Sequence, residues 1–138
     1  MFSLEIVTLA RLLVDEARER SLRIVTAESC TGGLVAGAIC QVSGASDVFE
    51  RGFVTYSNRA KQEMLGVPGD LIADLGAVSE PVARMMAEGA LENSNAHIAV
   101  ASLFIVPPLI ALYRNAYGDE SLLQLMSPSP KPSGQTVA

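Results

Sequence analysis

"LRIVTAESCTGGLVAGAICQV", residues 22–42, decides the fold. Its first six residues, 22–27, are short, β-branched and mostly apolar, the pattern of a buried strand. From Thr31 the run takes on helical character, although Gly32, Gly33 and Gly37 would each cost about 1 kcal/mol against alanine in a helix interior. Glycines at that cost are expected where backbone must approach a ligand or a neighbouring element closely. Between the two elements stand Glu28, Ser29, Cys30 and Thr31: an acid, a hydroxyl, a thiol and a second hydroxyl. Core packing does not ask for that order.

Upstream, residues 3–20 place Ile6, Leu9, Ala10, Leu13 and Ala17 at helical spacing, with Ser3 as N-cap and Arg11–Asp15 and Glu16–Arg20 four apart on the wet side. Downstream, "VSGAS" at 42–46 ends the second helix at Gly44. A second strand is expected at 52–58, "GFVTYSN", then a short helix stopping at Gly66. A turn at Pro68–Gly69 leads to a third long helix with Ser79 as its cap and Val82, Met85, Met86, Gly89 and Ala90 on its inner face. "AHIAVA" at 96–101 is the third strand. Strands alternating with helices predict an α/β layer structure.

The 138 residues suit one domain, and a hydrophobic fraction of 49% with 18% charged residues describes a soluble fold. No apolar window reaches the ~18 residues of a membrane span, and Glu5 stands where a signal peptide would be basic. A net charge of −5 argues against nucleic-acid wrapping. Cys30 and Cys40 have no spaced partners for disulfides or zinc and read as cytosolic thiols, so no metal and no cofactor are expected. Arg51, Arg59 and Lys61 crowd together, either as a solvated basic edge or as a phosphate subsite.

Ser29 and Cys30 fall at a strand-to-helix junction, where free N–H groups and the helix dipole could stabilise an oxyanion or a phosphate. Two readings stand for Ser29 and Thr31: helix caps, or a nucleophile and its surroundings. A serine nucleophile needs a base. His97, the single histidine, opens an apolar strand and reads as a packing residue. Lys61 is the alternative base, given a pKa lowered by burial and by Arg59; otherwise it is an exposed first-turn residue. Tyr56 is either a site residue or a core side chain. Cys30 competes with Ser29, against the general rule that free cysteines are buried and inert.

Three motifs, "TAESCTGG" (26–33), "GFVTYSNRAK" (52–61) and "GAVSEPVA" (76–83), together resemble the nicotinamide-nucleotide amidase family, also known as the C-terminal domain of competence/damage-inducible protein CinA. The resemblance covers the chain from the first helix to Ala101. It implies a three-layer α/β/α sandwich that hydrolyses nicotinamide mononucleotide to nicotinic acid mononucleotide and ammonia. It also implies Ser29 as nucleophile, Lys61 as base and Tyr56 as a helper in proton transfer or orientation. Thr31, Gly32, Gly33, Ser46 and Arg59 would contact substrate. The implied protein is cytoplasmic, binds neither nucleic acid nor membrane, and has a homo-oligomer among its open partners.

After Ala101 the pattern departs. Leu103 stands where the family carries Thr or Ser in a glycine loop, and Pro107–Pro108 breaks the next segment. The departure reads as a frameshift or truncation. The expected organisation is an amidase-like domain at 1–101, a divergent segment at 102–126 with a short helix capped by Asp119, and a disordered tail at 127–138. The sandwich is therefore expected to be incomplete at its C-terminal end, with an open sheet edge. Little or no amidase activity is expected of this ending, and an inactive member that only binds nucleotide or partner subunits is the alternative.

Overall fold

The computed structural model describes residues 2–103 and the backbone of 109–113. The divergent segment beyond Tyr113, the helix expected at Asp119 and the tail at 127–138 lie outside the described residues. The chain forms α1 (Leu4–Glu19), β1 (Ile24–Glu28), α2 (Leu34–Cys40), a 3-10 turn (Ala45–Asp47), β2 (Phe49–Val54), α3 (Asn58–Leu65), α4 (Gly69–Leu75), α5 (Glu80–Glu92), β3 (Ile98–Ser102) and β4 (Leu109–Tyr113). The sheet order is β2-β1-β3-β4, with β1 parallel to both β2 and β3, and β4 antiparallel to β3.

Side chains alternate across a strand, so β1 and β3 divide their residues between two helical layers. Val25, Ala27, Ala99 and Ala101 pack with Leu65, Ile72, Val82, Met86 and Ala90, from α3, α4 and α5. Ile24 and Ile98 pack on the other face with Val14, Ala17 and Ile39, from α1 and α2. Three layers result, as the motifs implied.

Gly89 sets the closeness of the larger layer. A Cβ there would sit 1.9 Å from the Leu65 carbonyl oxygen, so α5 rides directly on the end of α3. Gly52 makes room within the sheet, since a Cβ there would lie 2.6 Å from Oγ1 of Thr26, its partner on β1.

Several boundaries differ from the sequence reading. β1 runs on through Glu28, and α2 begins only at Leu34 because Gly32 (φ +56°) and Gly33 (φ +97°) are left-handed and stand before the helix, not in it. β2 starts three residues earlier than expected, at Phe49, which pairs with Ile24. The turn expected at Pro68–Gly69 opens α4 instead. Ser79 holds the cap position of α5, but its hydroxyl donates back to the Gly76 carbonyl. On α1 the buried line is Ala10, Val14 and Ala17, while Leu9 points to solvent. Ser3 caps α1 and Arg20 pairs with Glu16, but Asp15 pairs with Arg18 and not Arg11. The open edge expected beside β3 is also corrected. Leu109–Tyr113 pairs along its whole length with Ile98–Ser102.

Candidate active site

β1 ends with two consecutive side chains sent to opposite faces of the sheet. Glu28 turns toward α2, where its carboxylate accepts from the Val35 N–H at 2.8 Å and the Ala36 N–H at 3.0 Å. Ser29 turns toward α3. There Lys61 Nζ donates to Ser29 Oγ at 3.1 Å.

Lys61 reaches Ser29 because of where α3 starts. Ser57 caps that helix by accepting from the Ala60 N–H, and a helical side chain leans back toward its own N-terminus. Lys61 therefore points at the end of β2. That strand stops at Val54, which leaves the Thr55 and Tyr56 carbonyls to accept from Nζ, each at 2.9 Å. Only 1% of Lys61 is exposed. Burial pushes its ammonium below the ordinary 10.5, and the nearby Cys30 thiol, as thiolate, pulls the other way.

The Ser29 backbone is equally fixed. Its N–H donates to the Ser102 carbonyl at 2.9 Å, the Cys30 N–H to that of Leu103, and the Glu28 carbonyl accepts from Thr55. The turn 29–33 is thus bolted to both neighbouring strand ends. Thr31 is buried, and its hydroxyl has no hydrogen-bond partner among the described residues.

Of the residues singled out from sequence, Ser29, Lys61, Thr31, Gly32 and Gly33 lie in or beside this turn. Tyr56 contributes its carbonyl, while 72% of the residue is exposed. Cys30 is exposed, against the expectation of a buried thiol. Ser46 is exposed in the 3-10 turn that follows α2. Arg59 points outward and pairs with Glu63.

The three basic residues expected to crowd together each turn to a partner of their own. Arg51 pairs with Glu50 and donates to the Asn93 carbonyl at the end of α5, and Lys61 is turned inward onto Ser29. Nor is the head of α2 open to an anion, because the Glu28 carboxylate occupies its amides. His97 ties two strands together by accepting from the Arg23 N–H through Nδ1. Among the described residues no group of three or more His, Cys, Asp or Glu side chains could hold a metal ion. No helix there is long and apolar enough to cross a membrane.

Sequence reasoning missed Glu28 and the two carbonyls. An acid one residue before the candidate nucleophile was the visible signal for Glu28. Carbonyls leave none, since every residue has one.

The model of the CinA C-terminal domain matches residues 6–105. A CinA-like protein of Akkermansia muciniphila is 54% identical over 101 residues, covering 73% of this chain and 24% of that protein. Another CinA-like protein, from Chlorobaculum tepidum, is 49% identical over 102 residues, 74% of this chain and 24% of the relative. The chain thus spans about a quarter of the length of these curated relatives. Among solved structures, the competence/damage inducible protein CihA from Agrobacterium tumefaciens superposes with a TM-score of 0.75 at 47% identity. That match covers 78% of this chain and 66% of CihA. A CinA superfamily protein from Escherichia coli gives 0.69 at 36% identity, covering 73% and 60%.

Proposed function

The chain belongs to the CinA C-terminal domain family, and from that premise we propose that it is an amidohydrolase acting on the carboxamide of nicotinamide mononucleotide through Ser29 and Lys61. The observation that carries the reading is the buried contact of Lys61 Nζ with Ser29 Oγ at 3.1 Å. A protonated lysine has three N–H donors, and its three contacts here are Ser29, Thr55 and Tyr56. A neutral lysine keeps two N–H donors for the two carbonyls and turns its lone pair to the Ser29 hydroxyl. Burial favours that neutral form.

The chemistry follows. Ser29 Oγ attacks the carboxamide carbon as its proton passes to Lys61 Nζ. The proton is then delivered to the departing nitrogen, releasing ammonia and leaving an ester on Ser29. Water, deprotonated by Lys61, hydrolyses the ester to the carboxylate and restores the hydroxyl. Tyr56 serves through its carbonyl, which steadies Nζ. Thr31 and the left-handed glycines line the approach. Ammonia release from nicotinamide mononucleotide by purified protein tests the reading, with Ser29→Ala as the control that should abolish it.

A second reading, an inactive member that only binds, is favoured by one observation. Leu103 is fully buried where a hydroxyl would be expected, and its carbonyl takes up the Cys30 N–H. An oxyanion donor lost from such a turn lowers the rate roughly a hundred- to a thousand-fold. Nucleotide binding in calorimetry without ammonia release would select this reading.

A further inference from the structure

We infer that Glu28 is a positioning residue: its carboxylate ties the first turn of α2 to the end of β1 and so holds Ser29 Oγ against Lys61 Nζ. The inference rests on the amidase reading for its purpose, though its geometry stands apart from any substrate.

Glu28 is fully buried, and the two contacts of its carboxylate are the Val35 and Ala36 amides, one for each oxygen. A buried charge with so few partners is an expensive choice for a cap, because a Ser, Thr or Asn at the residue before the helix serves that purpose at the surface. Here that residue is Gly33, which has no side chain to offer. The capping group instead comes from Glu28, five residues before Gly33, across the whole candidate turn.

That origin has a mechanical result. Residues 29–34 become a closed loop, clamped at its start by the bonds of Ser29 to Ser102 and of Thr55 to Glu28, and at its end by the Glu28 carboxylate. The loop contains two left-handed glycines, whose backbones resist few rearrangements. The bonds of Ser29 and Cys30 to Ser102 and Leu103 hold the start of the loop, and the Glu28 carboxylate is what ties its far end and α2 back to β1. With it, strand and helix move as one piece, and Ser29 is presented to the opposite face at a fixed height.

The test uses the full chain and reads Ser29 without the substrate. Labelling of Ser29 by a fluorophosphonate is followed by mass spectrometry, and titration of Lys61 by carbon-detected NMR of its ε position. Glu28→Gln keeps the size but sets an amide donor against one of the two N–H groups. It should slow labelling at least tenfold and move the Lys61 titration to that of Ser29→Ala. Glu28→Asp, one methylene too short to reach both amides, should slow labelling as well and carries the test if Glu28→Gln does not fold. Leu91→Ala, which loosens packing at the end of α5 remote from the turn, serves as the control and should leave the labelling rate and titration unchanged in the folded protein.

Labelling of Glu28→Gln at the unaltered rate overturns the proposal, as does an unaltered chain that fails to label at Ser29. Equal slowing in Leu91→Ala would reduce Glu28 to a general stabilising residue and overturns it too. Ammonia release by the unaltered chain is measured separately. Its absence removes the amidase reading and leaves the labelling comparison to decide the role of Glu28.

Discussion

Lys61 has to lose a proton before it can take one from Ser29, and its surroundings set the pH at which that happens. Burial lowers its folded pKa below 10.5, so a rate limited by neutral Lys61 should rise with pH along a limb centred below that value. A pH profile of kcat/KM checks this; a limb at or above the ordinary lysine value would count against Lys61 as base. Lys61→Arg should be as inactive as Lys61→Ala, because a guanidinium stays protonated throughout. Cys30→Ser should retain most ammonia release, with the fold checked by circular dichroism. The same shift enters stability. Between the lowered pKa and 10.5 the folded chain holds fewer protons than the unfolded one, so its stability rises with pH across that window. Relative to Lys61→Met, the unaltered chain should therefore gain denaturation midpoint as the pH climbs toward 10.5.

At the scale of elements, the tightest constraint is Gly89 on α5. Alanine would gain about 1 kcal/mol of helix propensity but would press a methyl group into the Leu65 carbonyl, which is backbone and cannot swing aside. Overpacking of this kind costs about 1–3 kcal/mol, so Gly89→Ala should lower the thermal midpoint, and Gly89→Val should lower it further. The elements also show what a sequence discloses. The strand–helix alternation, the Gly66 stop and the α5 face were legible because each is written in the spacing of apolar residues and glycines. The start of β2 was not, because Phe49 joins the sheet through an irregular pairing beside Ile24 that no local pattern encodes. The buried line of α1 was displaced because Leu9 matches the helical period but lies at the margin of the contact. Glu28 looked like part of a polar loop, since its partners are amides seven and eight residues away.

For the whole molecule, the candidate pair was legible only because three motifs resemble a family; composition alone left Lys61 as an ordinary surface residue. Arg51 and Arg59 spend their contacts on Glu50, the Asn93 carbonyl and Glu63, since nearness in sequence says nothing about which end of a strand a side chain serves. Arg51→Ala and Arg59→Ala should accordingly change the affinity for nicotinamide mononucleotide less than threefold by calorimetry. The segment after Ala101 belongs to this scale as well. β4 closes the β3 edge, so the departure from the family falls on the site more than on the sheet. Replacing residues from 102 onward with a family-type ending should raise amide turnover by roughly a hundredfold or more if an oxyanion donor is restored. Equal turnover in the two chains would show that the present ending is competent.

The sheet order β2-β1-β3-β4 also fixes when the site can exist during synthesis on a ribosome. Ser29 and Lys61 both emerge early, in a nascent stretch whose β1 has β2 on one flank and nothing yet on the other. The acceptor for the Ser29 N–H is the Ser102 carbonyl, the last residue of β3. Translation must therefore run some seventy residues past the nucleophile before its backbone is secured. An emerging chain carries the reactive hydroxyl long before it carries the means to aim it.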